Sequence, residues 1–291
     1  LDDNHFESIP KDEPHISIQI NMGQKKFSVM DRGVGFPDSK YFAQQMTTRL
    51  DDLSDIGKAG MGLGLSATLA RSSYLRCITR NKLDGDILNS LNNSKGVLHL
   101  GAHRGVEAEV YNWFGKNVIW VEALPKLFEE LKDNLYFYKN QKALQGVISD
   151  VDDKNINFNI SNFDAACSSM FAFTENIKKS EIWSNRDHKM IKTIKLKTIK
   201  LDTLFEKNNI DPTDYNHWVL DLQGAELLAL KGGEKSLKSC KSLYIEVSIK
   251  RFYKNAVEWK ELRDWLSERN FFPTKDPDKD EEDILFIKKV N

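Results

Sequence analysis

Two apolar runs, separated by a glycine turn and a helix-like segment, constrain this chain more than any other feature of its sequence. The first run, 97–100, stops at the turn GAHRG, and the second, 118–121, ends on Glu122. Strand, helix and strand in this order predict a parallel pair, because parallel strands need a crossover connection. The turn and the acid then lie at the carboxyl ends of the strands, where open parallel sheets bind nucleotides. We therefore predict an α/β fold with a ligand site at this edge.

The turn favours one kind of ligand. Gly101 and Gly105, with Ala102 and His103 between them, let the backbone approach a ligand closely, and the following helix directs free N–H groups toward it. Glu122 is placed about 20 residues further on, where an acid accepts hydrogen bonds from ribose hydroxyls. The spacing GxxxG does not fit the dinucleotide pattern GxGxxG. It favours a sulfonium nucleoside such as S-adenosylmethionine, hence a methyltransferase site, while a nicotinamide site or a purely structural unit stays open.

A second group of polar side chains follows a later apolar run, WVL. Asp221 and Gln223 come after this run, Glu226 opens the helix predicted over 225–237, and Glu246 lies at the end of the next strand. All four are expected at the same edge of the sheet as the glycine turn. Capping of the helix N-terminus is the alternative explanation for the acids. No HxxE or DxD spacing within this group supports a metal ion, so we expect none here.

Most of the chain, from about residue 83 to the end, resembles the FkbM-type family of S-adenosylmethionine-dependent methyltransferases. His99 stands where many class I methyltransferases have an acid, and for it a strand-capping role and a contact with cofactor both stay open. The resemblance implies a Rossmann-like class I sheet with flanking helices that ends in an antiparallel hairpin. The matching segments, in the family's order, are GVLHLGAHRGVEAEVY (96–111), VIWVEALPKLFEELKDNL (118–135), QGVISD (145–150), CSSMF (167–171), IKLDTL (199–204), VLDLQGAELLALKGG (219–233), LYIEVS (243–248) and DILFIKK (283–289).

The resemblance also implies a reaction. The cofactor is S-adenosylmethionine, and the acceptor is a hydroxyl, often of a sugar. Asp150, with Ser149, is implied beside the adenine ring, although an acid that opens a polar turn explains the same residues. Methyl transfer to a hydroxyl needs a base for the proton. The four side chains after the later strands are expected to face the acceptor, with Asp221 and Glu246 as the best candidates for the base.

Residues 1–80 follow another pattern, which resembles the nucleotide-binding half of the GHKL ATPases, the superfamily of histidine kinases. FSVMDRGVGFP at 27–37 indicates a strand followed by DxGxG, and GKAGMGLGLS at 57–66 is similar to the glycine-rich lid of that superfamily. The resemblance implies that Asp31 binds adenine and that Asn4 binds magnesium, so ATP with magnesium is a second expected ligand. The implied nucleotide-binding residues are Asn4, Asp31, Gly33, Gly35, Gly60, Gly62 and Gly64.

This first segment is expected to be a partial or degenerate ATPase fold. The glutamate base of the hydrolytic branches would fall upstream of Leu1, and the strands expected after the lid helix are short or missing. The domains are then the ATPase-like segment at 1–80, a polar linker at 81–94 and the methyltransferase-like domain at 95–291. The rival function is a nucleotide-driven signalling or switch protein whose second domain only binds a ligand. A Rossmann binding module without enzymatic activity is the third possibility.

Composition narrows the partners. A net charge of −1 disfavours a general binder of nucleic acid or membrane surfaces. No apolar window approaches the roughly 18 residues that cross a bilayer. Cys77, Cys167 and Cys240 are widely spaced and form no CxxC pair, which indicates neither a zinc site nor a disulfide framework. We expect a cytoplasmic protein that acts on a small-molecule or glycan acceptor, and the sequence does not indicate its oligomeric state.

Overall fold

The structure is a computed structural model that describes residues 16–21, 26–31, 85–179 and 187–289. It divides into two units, with the boundary between Leu88 and Asn89. This boundary lies inside the 81–94 segment and within helix α1, Gly85–Asn92. Most of the described residues therefore belong to the second unit.

In the first unit the described strands form an antiparallel hairpin. β1, Ile16–Asn21, pairs with β2, Lys26–Asp31. The strand predicted before the DxGxG motif is confirmed, and Asp31 is its last residue. The other residues assigned to nucleotide binding lie outside the described residues, and they are Asn4, Gly33, Gly35, Gly60, Gly62 and Gly64.

The second unit alternates strands and helices along the chain, as an α/β fold requires. Its strands are β3 Gly96–Leu100, β4 Asn117–Glu122, β5 Gln141–Gln145, β6 Val147–Ile148, β7 Asn155–Ser161, β8 Met190–Ile199, β9 His217–Leu220, β10 Ser242–Ser248, β11 Phe271–Pro273 and β12 Glu281–Lys288. Its helices after α1 are α2 Ala108–Trp113, α3 Pro125–Leu135, α4 Leu201–Lys207, α5 Glu226–Gly232 and α6 Trp259–Ser267. Short 3-10 helices cover Glu175–Lys179, Pro212–Asp214 and Ser236–Ser239. Among the described residues, no helix has the length and apolar character needed to cross a membrane.

The main sheet has seven strands in the order β11-β12-β10-β9-β3-β4-β5. From β10 to β5 each neighbouring pair is parallel, whereas β12 runs antiparallel to both β10 and β11. The predicted class I methyltransferase sheet, with its antiparallel hairpin at one edge, is confirmed. The strand order reverses at β3, which lies between β4 and β9. In open α/β sheets such a reversal opens a crevice at the carboxyl ends of the strands.

Helices cover both faces of this sheet, which explains why its central strands are apolar throughout. Successive side chains of a strand point to opposite faces. On one face Val97 and Trp120 pack against α2 and α3. On the other face Leu98, Leu100 and Ile119 pack against α4, α5 and α6. The two cores hold β3 and β4 rigidly, so the turns at their ends are held in fixed positions.

The helix predicted over 225–237 is shorter than expected. α5 ends at Gly232, and a separate 3-10 helix follows at Ser236–Ser239. A Cβ at Gly232 would overlap the carbonyl oxygen of Ser149, and a Cβ at Gly233 would lie 2.7 Å from the Leu201 side chain. The two glycines therefore permit close packing of α5 on its neighbours, and they also end the helix.

A second, three-stranded sheet has the order β6-β8-β7, with β8 parallel to β6 and antiparallel to β7. After β7 the chain turns back, and Ser169 forms an isolated bridge with Asn159. We call residues 162–174, which follow β7 directly, the wall segment. Its contacts with the main sheet determine the shape of the candidate site.

Candidate functional site

The glycine turn after β3 is held against the end of β9. The backbone N–H groups of Gly101 and Ala102 both donate to the carbonyl of Val121, each at 3.0 Å. Gly101 has a φ of 84°, and a Cβ there would overlap the carbonyl oxygen of Asp221. The turn therefore requires glycine at this position. It also brings the two clusters predicted from sequence, which are far apart along the chain, into direct backbone contact.

Position 105 also requires glycine. Its φ is 66°, its N–H donates to the carbonyl of Ala102 at 2.8 Å, and a Cβ would lie 2.7 Å from a methyl group of Leu131 on α3. The space beside both glycines is thus filled by protein. The helix also starts later than expected, at Ala108, after a further turn. Close approach of a ligand to the backbone of 101–105 stays a prediction.

Glu122, the last residue of β4, reaches the glycine turn. One carboxylate oxygen, Oε2, accepts from the backbone N–H of His103 at 2.8 Å, and Oε1 accepts from that of Leu124 at 2.8 Å. The side chain is only 6% exposed. Burial raises its pKa to about 7, although the donated backbone hydrogen bonds oppose this. A carboxylate has about four acceptor positions, so Glu122 retains capacity for further donors.

The wall segment is fastened to the same turn. The Arg104 guanidinium donates to both oxygens of Asp164, with Nη2–Oδ1 at 2.8 Å, and its Nε donates to Glu130 on α3 at 2.5 Å. The His103 ring lies 3.0 Å, through Nε2, from the carbonyl of Asp164. Phe163, Asp164 and Ala165 all have positive φ values between 53° and 64°. Non-glycine residues rarely adopt this conformation, and the Arg104 contacts help to hold it.

An acid pair lies on the other side of the reversal point. Because Ile245 of β10 pairs with Leu220 of β9, the next residues, Glu246 and Asp221, come side by side. Gln223, which has a φ of 53°, joins them: its Nε2 donates to Asp221 Oδ1 at 2.5 Å and to Glu246 Oε2 at 2.9 Å. The structure thus assembles three of the four residues predicted to face the acceptor.

The two acids of the pair differ in exposure and in protonation. Asp221 is exposed at the mouth of the crevice, whereas Glu246 is partly buried. The protein crowded around the Asp221 carboxylate desolvates it and, with the charge of Asp283, raises its pKa to about 6. Desolvation, followed by the charge of Asp221, raises the pKa of Glu246 well above its usual range. Each charge opposes ionisation of the other acid, so the two acids titrate as a pair in which Asp221 ionises first.

Glu226, the fourth residue predicted to face the acceptor, has a different environment. Its Oε1 accepts from the backbone N–H of Leu222 at 2.8 Å and of Gly224 at 3.1 Å. It is 5% exposed, and burial raises its pKa to about 7. These contacts are those of a cap for the turn before α5, which is the alternative that the sequence left open. A direct catalytic role for Glu226 stays a prediction, and the acid pair does not depend on it.

Ser149 and Asp150 lie after β6, at the end of α5 and the start of α4. The N–H of Ser149 donates to the carbonyl of Ile199, and its hydroxyl donates to Asp150 Oδ1 at 3.2 Å. Ser149 is buried and Asp150 is exposed. Neither residue has a described contact with the glycine turn, and their role beside adenine stays a prediction. No group of three His, Cys, Asp or Glu side chains in the described part of the chain is arranged to hold a metal ion.

His99 lies within β3 and packs inside the protein, and its contact with the cofactor stays a prediction. It is buried, its ring stacks on Trp120 with centroids 4.6 Å apart, and its Nδ1 lies 3.1 Å from the Tyr111 hydroxyl. Sequence reasoning missed Tyr253, whose hydroxyl donates to the Gln223 side chain, and it gave Ser169 no role. Ser169 donates to the Gln223 carbonyl at 2.8 Å. Ser169 lies in the CSSMF segment that resembles the family, whereas Tyr253 lies outside every matching segment, so the sequence offered no signal for Tyr253.

Several solved structures and one family model are similar to this chain. No curated protein matches the chain significantly. An uncharacterized protein from Listeria monocytogenes is similar in structure at 12% identity and a TM-score of 0.39, over 72% of this chain and 70% of that one. A TehB-like SAM-dependent methyltransferase from Corynebacterium glutamicum has 9% identity and a TM-score of 0.37, over 81% and 100%. Magnesium protoporphyrin IX methyltransferase from Synechocystis, solved with bound SAM, has 11% identity and a TM-score of 0.36, over 70% and 74%.

The family of the chain follows from its sequence. The model of the methyltransferase FkbM domain matches residues 99–273, which is more than half of the chain and spans the glycine turn, Glu122 and the acid pair. This match includes none of residues 1–80, and nothing in the comparisons supports the resemblance of that segment to GHKL ATPases. The resemblance stated for the larger part of the chain is confirmed, and the chain belongs to the FkbM methyltransferase domain family.

Proposed function

We propose that this protein transfers the methyl group of S-adenosylmethionine to a hydroxyl of a sugar or glycan-like small molecule. The observation that carries the proposal is the acid pair at the mouth of the crevice, in direct backbone contact with the glycine turn. The FkbM domain gives the reaction class, methyl transfer. The acid pair supports a hydroxyl as the acceptor, because a hydroxyl must lose its proton during transfer and an ionised carboxylate is suited to accept it.

The residues around the glycine turn suit the cofactor. When bound, S-adenosylmethionine supplies an electrophilic methyl group on a sulfonium. Glu122 is buried, points to the turn and has acceptor capacity left after its two backbone donors. Two ribose hydroxyls would provide the donors that an ionised buried carboxylate needs. Glu122 would therefore hold the ribose, and the turn at 101–105 would lie against the rest of the nucleoside.

On the acceptor side, Asp221 is the base. Its exposure at the mouth gives it access to a bound hydroxyl, and its pKa of about 6 leaves it ionised at neutral pH while close to the optimum for proton transfer. Burial and the Asp221 charge raise the pKa of Glu246 and so favour its protonated form. Gln223 donates to both acids and fixes their separation. In this assignment the acceptor proton moves to an oxygen of Asp221.

Two measurements test the proposal in sequence. Thermal unfolding with S-adenosylhomocysteine, and separately with ADP and magnesium, shows which ligand stabilises the protein by mass action. We expect stabilisation by S-adenosylhomocysteine, whereas stabilisation by the nucleotide alone would favour the rival switch protein. Incubation with methyl-labelled cofactor and a panel of sugars and matched amino sugars then identifies the acceptor atom. Label on nitrogen only, or on no acceptor, would refute hydroxyl methylation. ATP binding by residues 1–80 stays a prediction that the first measurement also tests.

A further inference from the structure

We propose that Tyr253 is a positioning residue for methyl transfer: its hydroxyl orients the side-chain amide of Gln223 so that the amide NH2 group bridges Asp221 and Glu246. The inference rests on the proposed function, since it concerns how the base is held. Tyr253 follows β10 in a loop, is 3% exposed, and lies far in sequence from the DLQGAE segment that contains Gln223. Its hydroxyl donates to the amide of Gln223, so we assign it the role of positioning that amide.

The Gln223 amide is held at both ends. Its Oε1 accepts from the Tyr253 hydroxyl, and its Nε2 donates to Asp221 Oδ1 at 2.5 Å and to Glu246 Oε2 at 2.9 Å. The same hydroxyl lies 3.4 Å from the carbonyl of Cys167 in the wall segment. This carbonyl is a weaker acceptor for it than Gln223 Oε1. All hydrogens and acceptors of the amide therefore have partners inside the protein.

This arrangement depends on which way the amide points. A glutamine amide can be rotated by half a turn without changing its shape, and then its oxygen would face the acids. An amide oxygen directed at the ionised Asp221 would be repelled, and it would leave that carboxylate without its donor. A phenol hydroxyl that donates to Oε1 stabilises the productive orientation. Burial raises the pKa of Tyr253 well above its usual range, so the hydroxyl keeps its proton and remains a donor.

The backbone of Gln223 is held as well. Its left-handed φ of 53° is strained for a residue other than glycine, and the Ser169 hydroxyl donates to its carbonyl at 2.8 Å. A Cβ at Gly224 would lie 2.8 Å from the Ala256 Cβ and 3.1 Å from the Tyr253 Cβ, so the Tyr253 loop packs directly on this turn. The backbone contact and the phenol contact come from two different segments. The site therefore fixes the amide independently of any ligand.

The orientation has a consequence for proton transfer. The Gln223 hydrogen bond lowers the pKa of Asp221 against the effects of desolvation and of neighbouring acids, so it keeps the base ionised. The charged groups that face the pair are Glu107, Glu122, Glu226, Glu281 and Asp283, together with Arg251 in the cleft beside Glu246. Acids dominate this set, and loss of a directed donor would raise the pKa of Asp221 further.

Tyr253→Phe removes the hydroxyl and keeps the ring, which packs on Phe173 with centroids 5.2 Å apart. We expect the acidic limb of the kcat/KM profile to move to higher pH, with activity about tenfold lower than wild type on that limb, the effect of losing one directed hydrogen bond to a charged group. At pH values above this limb, the kcat/KM of the variant should approach that of wild type. Tyr138→Phe is the matched control, because the Tyr138 hydroxyl also donates to a carboxylate, that of Glu109, on the other side of the sheet. Its profile should equal that of wild type.

A spectroscopic measurement tests the bridge without turnover. In protein labelled with 15N-glutamine, the Gln223 NH2 resonances, assigned by their loss in Gln223→Leu, should titrate with the acid pair in wild type and be displaced in Tyr253→Phe. Resonances that do not respond to pH in wild type, or an identical titration in both proteins, would overturn the proposal. If wild type produces no methylated acceptor, the proposed function fails, while the amide titration still decides whether Tyr253 orients Gln223.

Discussion

Glu122 and Asp221 follow strands on either side of β3, at the same edge of one sheet, yet the protein surrounds these two acids differently. Glu122 is enclosed and receives two backbone N–H groups, whose positions are fixed by the glycine turn and by the start of α3. Asp221 is exposed and has a second carboxyl group, Glu246, beside it, with one side-chain amide between them.

The difference shows how an acid is adapted for binding or for proton transfer. Fixed backbone donors hold a carboxylate in one orientation and oppose the rise in pKa that burial causes, which suits recognition of hydroxyl groups that do not react. A neighbouring acid, in contrast, makes the protonation state sensitive to small changes, which suits a group that gains and loses a proton. Glu226 belongs with Glu122 by this criterion, because it too receives two backbone N–H groups. In the proposed function, Glu122 and Glu226 are therefore the holding acids, which bind groups that do not react. Asp221 and Glu246 are the reacting acids, which take part in proton transfer.

The strongest way to break the comparison is Asp221→Asn. The amide keeps the size of the side chain but cannot accept the acceptor proton, so we expect kcat to fall about 10²–10⁴-fold, the usual contribution of a general base. Affinity for S-adenosylhomocysteine, measured by calorimetric titration, should stay near that of wild type. Asp264→Asn, on the exposed face of α6, is the control and should leave both quantities unchanged. Full activity of Asp221→Asn would remove Asp221 from the role of base.

Glu122→Ala tests the proposed role of Glu122 in binding the cofactor. We expect cofactor affinity to weaken by about 1–3 kcal/mol, the cost of losing hydrogen bonds to a charged group. Glu226→Ala is the matched control, since it removes a buried carboxylate that also holds two backbone N–H groups. It should lower the thermal stability of the ligand-free protein and leave cofactor affinity unchanged. Equal loss of affinity in both variants would show that the effect of Glu122 is structural.

Glu226→Gln tests the environment of Glu226 through the pH dependence of stability. The folded-state pKa of Glu226 is about 7, raised from 4.5 by burial. Between these values the folded state keeps a proton that the unfolded state has released, so the free energy of unfolding falls as pH rises through this window. The glutamine variant lacks this titration. Its stability relative to wild type should therefore increase by on the order of 1–3 kcal/mol across the window, as measured by denaturant unfolding.

Glu261→Gln on α6 is the control for this measurement, because it makes the same substitution at an exposed acid. The Glu226→Gln variant also tests the predicted catalytic role of Glu226. Retained methyl transfer would assign Glu226 to the turn alone. A loss of kcat at unchanged stability would restore it to the catalytic group.

The sequence predicted those parts of the fold that depend on local pattern. Apolar runs of strand length gave β3, β4, β9 and β10, and the chain order of these strands and the helices between them gave the parallel sheet. The helix predicted over 225–237 was wrong in its length, because Gly232 and Gly233 pack against Ser149 and Leu201. Such contacts join residues far apart in sequence, and no periodicity within a window records them.

The candidate site divides in the same way. Positions of Glu122 and Asp221 follow from strand ends, since a strand that stops places the next residue at the rim. The partners of these acids do not follow, because Gln223 adopts a left-handed conformation and Tyr253 arrives from a separate loop. His99 shows the converse: a polar residue in an apolar strand suggested chemistry, whereas stacking on Trp120 accounts for it.

The smallest predicted effect concerns the link between the two sides. Arg104 of the glycine turn contacts Asp164 of the wall segment with two nitrogens, and the same segment contacts Gln223 through Ser169. Asp164 is partly exposed, so solvent weakens the pair, and we expect a coupling energy of about 0.2–1 kcal/mol in a double-mutant cycle of Arg104→Gln and Asp164→Asn, measured by denaturant unfolding.

A cycle on the more exposed pair of Lys189 and Asp187 provides the control and should give a coupling near zero. Because the Arg104 pair joins the wall segment to the glycine turn, its loss should weaken acceptor binding more than cofactor binding, a split that is seen as an increase in the acceptor KM at constant affinity for S-adenosylhomocysteine. Glu122 receives its donors from the backbone of His103 and Leu124, whereas the wall segment contacts the backbone of Gln223 beside the acid pair through Ser169. Equal effects on both ligands would mean that the two sides form one rigid unit, and the distinction between holding and reacting acids would then rest on protonation alone.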